Sequence, residues 1–156
     1  MTEGIRTVAV LGAGSMGHGI AELAAIAGYD VVLRDVEAEL VEDGYDRIEW
    51  SLGKLSDSGT LEEDPETILA RIDTEVDLEA AVAAADLVIE AAPERLDLKR
   101  EIFADLDEYA PEGALLATNT SSLSITEIAA ATDRPDRVLG LHFFNPPVKM
   151  DLVEVI

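Results

Sequence analysis

The chain has no cysteine, only two histidines and a single tryptophan. Without thiols there is neither a disulfide framework nor a thiolate metal site to build on. Basic residues are scarce as well. Eleven Lys and Arg face 33 Asp and Glu, a net charge of −22, and the lysines are Lys54, Lys99 and Lys149 alone. A field of that sign repels phosphate backbones, which argues against nucleic acid as a partner. Long apolar runs are missing too. The most apolar windows are broken by Gly, His or acidic residues, so no membrane span is expected. The opening "MTEGIRTVAVLG" lacks a basic segment followed by a hydrophobic one. That argues against a secretory signal and for a soluble, cytoplasmic protein.

What the chain does have is enough apolar material for a core: 48% of 156 residues. This suits one domain and is too little for two. The acidic excess strains a compact state by self-repulsion unless concentrated salt screens it. At about 1 M ionic strength the screening length falls to roughly 3 Å. The composition therefore reads as that of a halophile's cytoplasm, with an ordinary acidic protein as the alternative.

Short apolar runs alternate with amphipathic stretches, the pattern of an α/β fold with a parallel sheet. "RTVAVLG" (6–12) reads as a buried first strand and residues 15–27 as a helix carrying Met16, Ile20, Leu23, Ala24 and Ala27 at helical spacing. Gly28 follows as a C-terminal cap. "YDVVLRD" is a second strand. Residues 37–55 form a charged helix, and Pro65 opens a short one through Ile72. Further strands are expected in "DLVIEAA", "GALLATN", "RVLGLHF" and "DLVEVI". Helices are expected in "DLEAAVAAA", "LDLKREIFADLDEYA" and "SITEIAAAT".

"GAGSMG" (12–17) is a G-x-G-x-x-G turn that follows a strand, opens a helix and precedes Asp35 by 23 residues, within one βαβ unit. That context makes the pattern specific for a dinucleotide. Gly12 allows the tight turn, Gly14 lets backbone approach a diphosphate, and Gly17 lets helix and strand pack closely. Free N–H groups at Ser15 and Met16, where the helix starts, suit the diphosphate. Asp35 would accept from ribose hydroxyls and repel a 2′-phosphate, which favours NAD over NADP. Arg34 beside it weakens that preference slightly. A glycine turn without ligand is the bland alternative, and His18 reads as a helix-surface residue.

Ligands of open parallel sheets bind beyond the carboxyl ends of the strands. Glu90 sits in or beside one such end, with Glu94 and Lys99 after it. Those last two read equally well as an exposed loop acid and a solvated helix charge. Ser124 with Glu127 makes a capping box. Asn119, Thr120, Ser121 and Ser122 are left without that duty, at a strand end on the ligand side. In "DLVEVI", alternation places Leu152, Glu154 and Ile156 on one face. A carboxylate between aliphatic neighbours needs a partner, and the nearest candidate is His142. A paired Glu would fix the imidazole tautomer and favour an imidazolium, as a general base requires. A structural His beside an exposed Glu is the competing account.

"GAGSMGHGIA", "VIEAAPE" with "LDLK", "TNTSSLSI" and "HFFNPPVKMDLVEVI" together resemble the NAD-binding domain of L-3-hydroxyacyl-CoA dehydrogenases, a group that includes 3-hydroxybutyryl-CoA dehydrogenases. The resemblance runs from Ile5 to Ile156. It implies a Rossmann-type, doubly wound sheet and NAD-dependent oxidation of an acyl-CoA 3-hydroxyl, in fatty-acid or hydroxybutyryl-CoA metabolism. It also implies that Gly12, Gly14, Ser15, Met16, Gly17 and Asp35 bind the adenosine side of NAD. Glu94 and Lys99 would contact the cofactor nearer its nicotinamide end, and Asn119 would bind it as well. Ser121 would meet the reacting oxygen, His142 would be the base, Glu154 would orient it, and Asn145 would shape the site. Ser51 and Lys54 fit the family's CoA contacts loosely, and Ser58 stands where a lysine is expected. The helical C-terminal domain that makes the family's dimer and completes its acyl-CoA cleft has no counterpart in these residues. The sequence thus reads as a fragment, or as a half that works with a separate partner. A dehydrogenase of a sugar acid or small 3-hydroxy acid, and a non-catalytic NAD-binding module, remain open.

Overall fold

Val8, Ala9, Val10 and Leu11 are all buried, as a strand covered on both faces requires. They lie in β1 (Thr7–Leu11), an interior strand of a seven-stranded sheet in a computed structural model that describes residues 4–150 and 152–156. The other strands are β2 (Asp30–Arg34), β3 (Ile72–Glu75), β4 (Leu87–Glu90), β5 (Leu115–Thr118), β6 (Val138–Phe143) and β7 (Val153–Val155). Their order is β3-β2-β1-β4-β5-β6-β7, parallel except for β7, which runs antiparallel to β6. Asp151, which the sequence reading assigned to the last strand, lies outside the described residues.

The helices are α1 (Gly17–Ile26), α2 (Ala38–Asp57), α3 (Pro65–Leu69), α4 (Leu78–Val82), α5 (Leu96–Tyr109) and α6 (Ile125–Ala129). Alternation along β1 divides the core into two layers. Val8 and Val10 pack with Ile20, Ile48, Leu52 and Ile68 from α1, α2 and α3. Ala9 and Leu11 pack with Val82, Phe103, Leu106 and Ile128 from α4, α5 and α6. Because β1 is flanked by β2 on one side and β4 on the other, chain connections leave it in opposite directions. The crevice at its carboxyl end is the topological switch point.

Two expectations are corrected. The short helix opened by Pro65 stops at Leu69, and residues 72–75 add a strand that the sequence pattern did not show. At this edge of the sheet only Ile72 is buried, so "IDTE" carries no hydrophobic alternation. On α1 the buried face is Gly17, Gly19, Ile20, Ala21, Glu22 and Ala25, while Leu23 and Ala24 are half-buried and Ala27 is exposed. Gly28 does follow the helix in a left-handed conformation, at φ 102°.

Glu22 is the odd member of that face. It is buried, and the Ser51 hydroxyl of α2 donates to its Oε2 at 2.7 Å. Burial pushes its carboxyl up to about 7 from 4.5, and the Ser51 hydrogen bond offsets this only in part. An acid whose pKa rises on folding binds more protons in the native state. Its ionisation therefore costs stability progressively between pH 4.5 and pH 7 and costs nothing below that window. Glu22→Gln removes the charge and keeps an acceptor for Ser51. In urea unfolding at constant high salt, the variant should exceed the parent by on the order of 2–3 kcal/mol at pH 8 and match it near pH 4.5.

Candidate active site

Gly12 bends the chain out of β1 with φ 101°, a left-handed conformation that favours glycine. A Cβ on Gly17 would lie 1.6 Å from the Gly12 carbonyl oxygen, so α1 can begin directly against the turn only without a side chain there. The exposed Gly14 is open on its outer side, with nothing within 4 Å of a built Cβ. Gly12, Gly14, Ser15 and Met16 line a cavity of about 570 Å³ together with Arg34, Asp35 and the strip Ala91–Pro93. Asp35 Oδ2 accepts from the Ala13 N–H at 2.9 Å and Oδ1 from the Val36 N–H at 2.7 Å. These bonds tie the end of β2 to the glycine turn. Each oxygen keeps a lone pair for a further donor. Arg34 donates from Nε to the Val76 carbonyl at 2.8 Å. His18 sits one turn in, its Nδ1 2.6 Å from the Gly14 carbonyl oxygen.

This cradle fits a dinucleotide. It offers an uncovered glycine at the start of a ten-residue helix, a carboxylate at the next strand end, and apolar walls from Leu40, Leu98 and Ile102.

Met16 also lines a second cavity of about 300 Å³, shared with Glu94, Asn119, Ser121, His142, Phe143, Phe144 and Asn145. The carboxyl ends of β4, β5 and β6 supply these groups. Asn119 Oδ1 accepts from the Phe143 N–H at 2.9 Å, which fixes the end of β6 beside that of β5. Glu94 accepts from the Thr120 hydroxyl and, at 3.3 Å, from both the N–H and the hydroxyl of Ser121. Burial alone would raise this carboxyl. The Thr120 and Ser121 hydrogen bonds and the Lys99 ammonium outweigh it and hold it below the usual carboxylate range.

His142 and Glu154 are direct partners in the antiparallel β6–β7 ladder, and Nδ1 lies 3.0 Å from Oε1. The reason given from the sequence does not hold, however. Glu154 is not wedged among buried aliphatics: its side chain is 52% exposed, and every described residue from 152 to 156 is exposed. Ladder register, not burial, joins the pair. The Phe144 ring, 4.7 Å from the imidazole centroid, covers it from one side.

The two cavities bring together Gly12, Gly14, Ser15, Met16, Asp35, Glu94, Asn119, Ser121, His142 and Asn145. Ser51 and Lys54 stand apart from them on α2. The Ser51 hydroxyl points to Glu22, and the Lys54 ammonium lies 5.3 Å over the exposed Trp50 ring. Lys99 is also not where a solvated helix charge would be. It is 1% exposed, with Nζ 2.6 Å from Glu90 Oε2 and 3.7 Å from Glu94 Oε1. A signal for this was available. Lys99 falls three residues after Leu96, four before Phe103 and seven before Leu106, on the inward stripe of α5. Glu90 was seen as a strand-end acid, but its pairing with Lys99 was missed.

Known proteins match this chain in sequence and in fold. Residues 7–156 match the model of the family described as "3-hydroxyacyl-CoA dehydrogenase, NAD binding domain". The chain is 50% identical over 157 residues to the 3-hydroxyadipyl-CoA dehydrogenase of Escherichia coli K12, spanning all of itself and 33% of that protein. It is 45% identical to the 3-hydroxybutyryl-CoA dehydrogenase of Bradyrhizobium diazoefficiens, spanning all of itself and 53% of the relative. A crystal structure of 3-hydroxybutyryl-CoA dehydrogenase from E. coli K12 superposes with a TM-score of 0.92 at 51% identity, covering 97% of this chain and 32% of that one. The chain thus spans between a third and about half the length of these relatives. A cradle shaped for a dinucleotide, and a family match that runs from β1 to the last residue, give the same answer: this chain belongs to the 3-hydroxyacyl-CoA dehydrogenase NAD-binding domain family.

Proposed function

We propose that this domain binds NAD along the crevice and supplies the acid–base groups for oxidising L-3-hydroxyacyl-CoA to 3-ketoacyl-CoA. The observation that carries the reading is the 3.0 Å contact between His142 and Glu154 at the cavity that also holds Ser121 and Glu94. Glu154 assigns the proton to Nδ1 and leaves Nε2 as the acceptor. Nε2 takes the proton of the substrate's 3-hydroxyl while the Ser121 hydroxyl holds the reacting oxygen. The imidazolium that forms is stabilised by the Glu154 carboxylate. Bound NAD supplies the hydride acceptor for C3. In the reverse direction His142 returns the proton. Relatives named for 3-hydroxyadipyl-CoA and 3-hydroxybutyryl-CoA support the acyl-CoA class. Their greater length supports an acyl-CoA cleft completed by further polypeptide, helical and dimer-forming by the resemblance, whether joined to this domain or separate.

Asp35 is the basis for preferring NAD. Calorimetric titration in molar KCl should show NADH binding at least tenfold tighter than NADPH. A preference for NADPH would remove the role given to that carboxylate.

The acid–base assignment is read by turnover, with this domain assayed together with the polypeptide its relatives carry beyond it. With 3-hydroxybutyryl-CoA, His142→Ala should lower kcat by on the order of 10²–10⁴ while leaving NADH affinity unchanged. Turnover of free hydroxy acids alone would reject the CoA assignment. NADH binding with no turnover in the parent would leave a non-catalytic module.

The acidic surface belongs to the same proposal, as an adaptation to a cytoplasm of concentrated salt. Exposed Glu37 at the N-terminal cap of α2 and Glu39, Glu42, Asp43, Asp46 and Glu49 within it crowd this helix alone. Raising KCl from about 0.1 M to about 3 M should lift Tm by roughly 10 °C or more as this repulsion is screened. A flat or falling Tm in calorimetry would mark an ordinary acidic protein.

A further inference from the structure

Glu90 has no part in the chemistry above, yet it is the most completely enclosed charge beside the site. It closes β4, in register with Leu11 of β1 and Thr118 of β5, and its side chain is fully buried. Oε1 accepts from the Thr118 hydroxyl at 2.6 Å. Oε2 accepts from Lys99 Nζ at 2.6 Å and from the Ala92 N–H at 2.7 Å. Lys99 in turn donates to the Ala92 carbonyl at 3.1 Å. No buried side-chain nitrogen or oxygen among the described residues is left unpaired.

For the fold alone this arrangement is a poor bargain. Two ions taken out of water cost several kcal/mol each, and well-packed apolar groups of the same volume stabilise as well or better. Its location is more informative. Ala92 is held at both its N–H and its C=O, so the strip that walls the first cavity is fixed where it leaves β4. The Lys99 ammonium then faces Glu94 across 3.7 Å, and Glu94 braces Thr120 and Ser121 in the second cavity.

We propose that Glu90 is a positioning residue for the nicotinamide half of the site: through Lys99 and Ala92 it sets the Glu94 carboxylate, and with it Ser121. The proposal rests on the NAD reading above. Lys99, buried as it is, acts on the ligand through Glu94. The adenosine half shares the Ala92 wall, but its polar groups, in the glycine turn and Asp35, are bonded to one another and not to this knot.

That division gives the test. The chain, Glu90→Gln, and the double variant Glu90→Leu with Lys99→Met are titrated with NADH and with ADP in high KCl, with a thermal melt of each. ADP probes the adenosine half alone. Both variants should keep ADP affinity within about twofold and lose roughly tenfold in NADH affinity. The apolar double variant should melt within a few degrees of the parent. Unchanged NADH binding in a folded variant would reduce the pair to a structural one and overturn the proposal. Equal weakening of both ligands would overturn it too, as general distortion. If the double variant melts below the titration temperature, Glu90→Gln decides alone. Its carbonyl keeps an acceptor for Lys99 and Ala92, so the variant should fold, but the lost charge lets the Lys99 ammonium turn toward Glu94 and draw that carboxylate off Ser121. A parent that binds neither ligand rejects the NAD reading itself, before any variant is compared.

Discussion

Helix α1 touches its surroundings through atoms that are not there. Gly17 rests on the Gly12 carbonyl at a distance that no side chain would permit, and Gly19 leaves room for the Pro147 ring, whose approach to a built Cβ would be 2.9 Å. The first contact presses the start of the helix against the end of β1. The second brings the loop after β6, which carries Phe144 and Asn145, onto the same helix. One close-packed helix thereby relates the nucleotide turn to the cavity holding His142, although 130 residues separate Gly12 from His142 in sequence.

The electrostatics of the crevice follow from scarcity. Among the residues lining its larger cavity the basic one is Arg34, and its Nε is engaged by the Val76 carbonyl. A diphosphate must therefore be met by backbone N–H groups at the start of α1 rather than by lysine. Lys99 is spent on holding carboxylates, not on greeting an anion. An anionic cofactor and a surface with a large acidic excess coexist most easily where mobile ions shorten the reach of both.

Much of this could be read in advance where local rules decide the outcome. The glycine turn, Asp35, and most of the strand and helix order obey spacing and periodicity, and β1 was visible as an uninterrupted apolar run. β3 was not, because an edge strand with one buried residue leaves no alternation to find. Lys99 stayed open between a solvated charge and a functional one because charge was weighed before position: its stripe was apolar, and burial followed the stripe. Glu22 escaped notice for a related reason, since α1, packed between the sheet and α2, buries more of its circumference than one face. The meeting of His142 with Glu154 was anticipated on the wrong ground. Register across two strands is a long-range fact, and exposure of β7 shows that solvent exclusion was not needed to produce it.

The β6–β7 ladder also sets how this corner can vary. Three residue pairs fix it, with His142 opposite Glu154 in the middle. Side chains alternate between faces, so a slip of one residue would turn the carboxylate to the far side of the sheet and strand the imidazole without it. The first part of the connection is restrained as well, since Phe144 covers the imidazole, Asn145 lines the cavity and Pro147 packs on Gly19. Residues gained or lost must therefore fall after Pro147, with the rungs on either side keeping count.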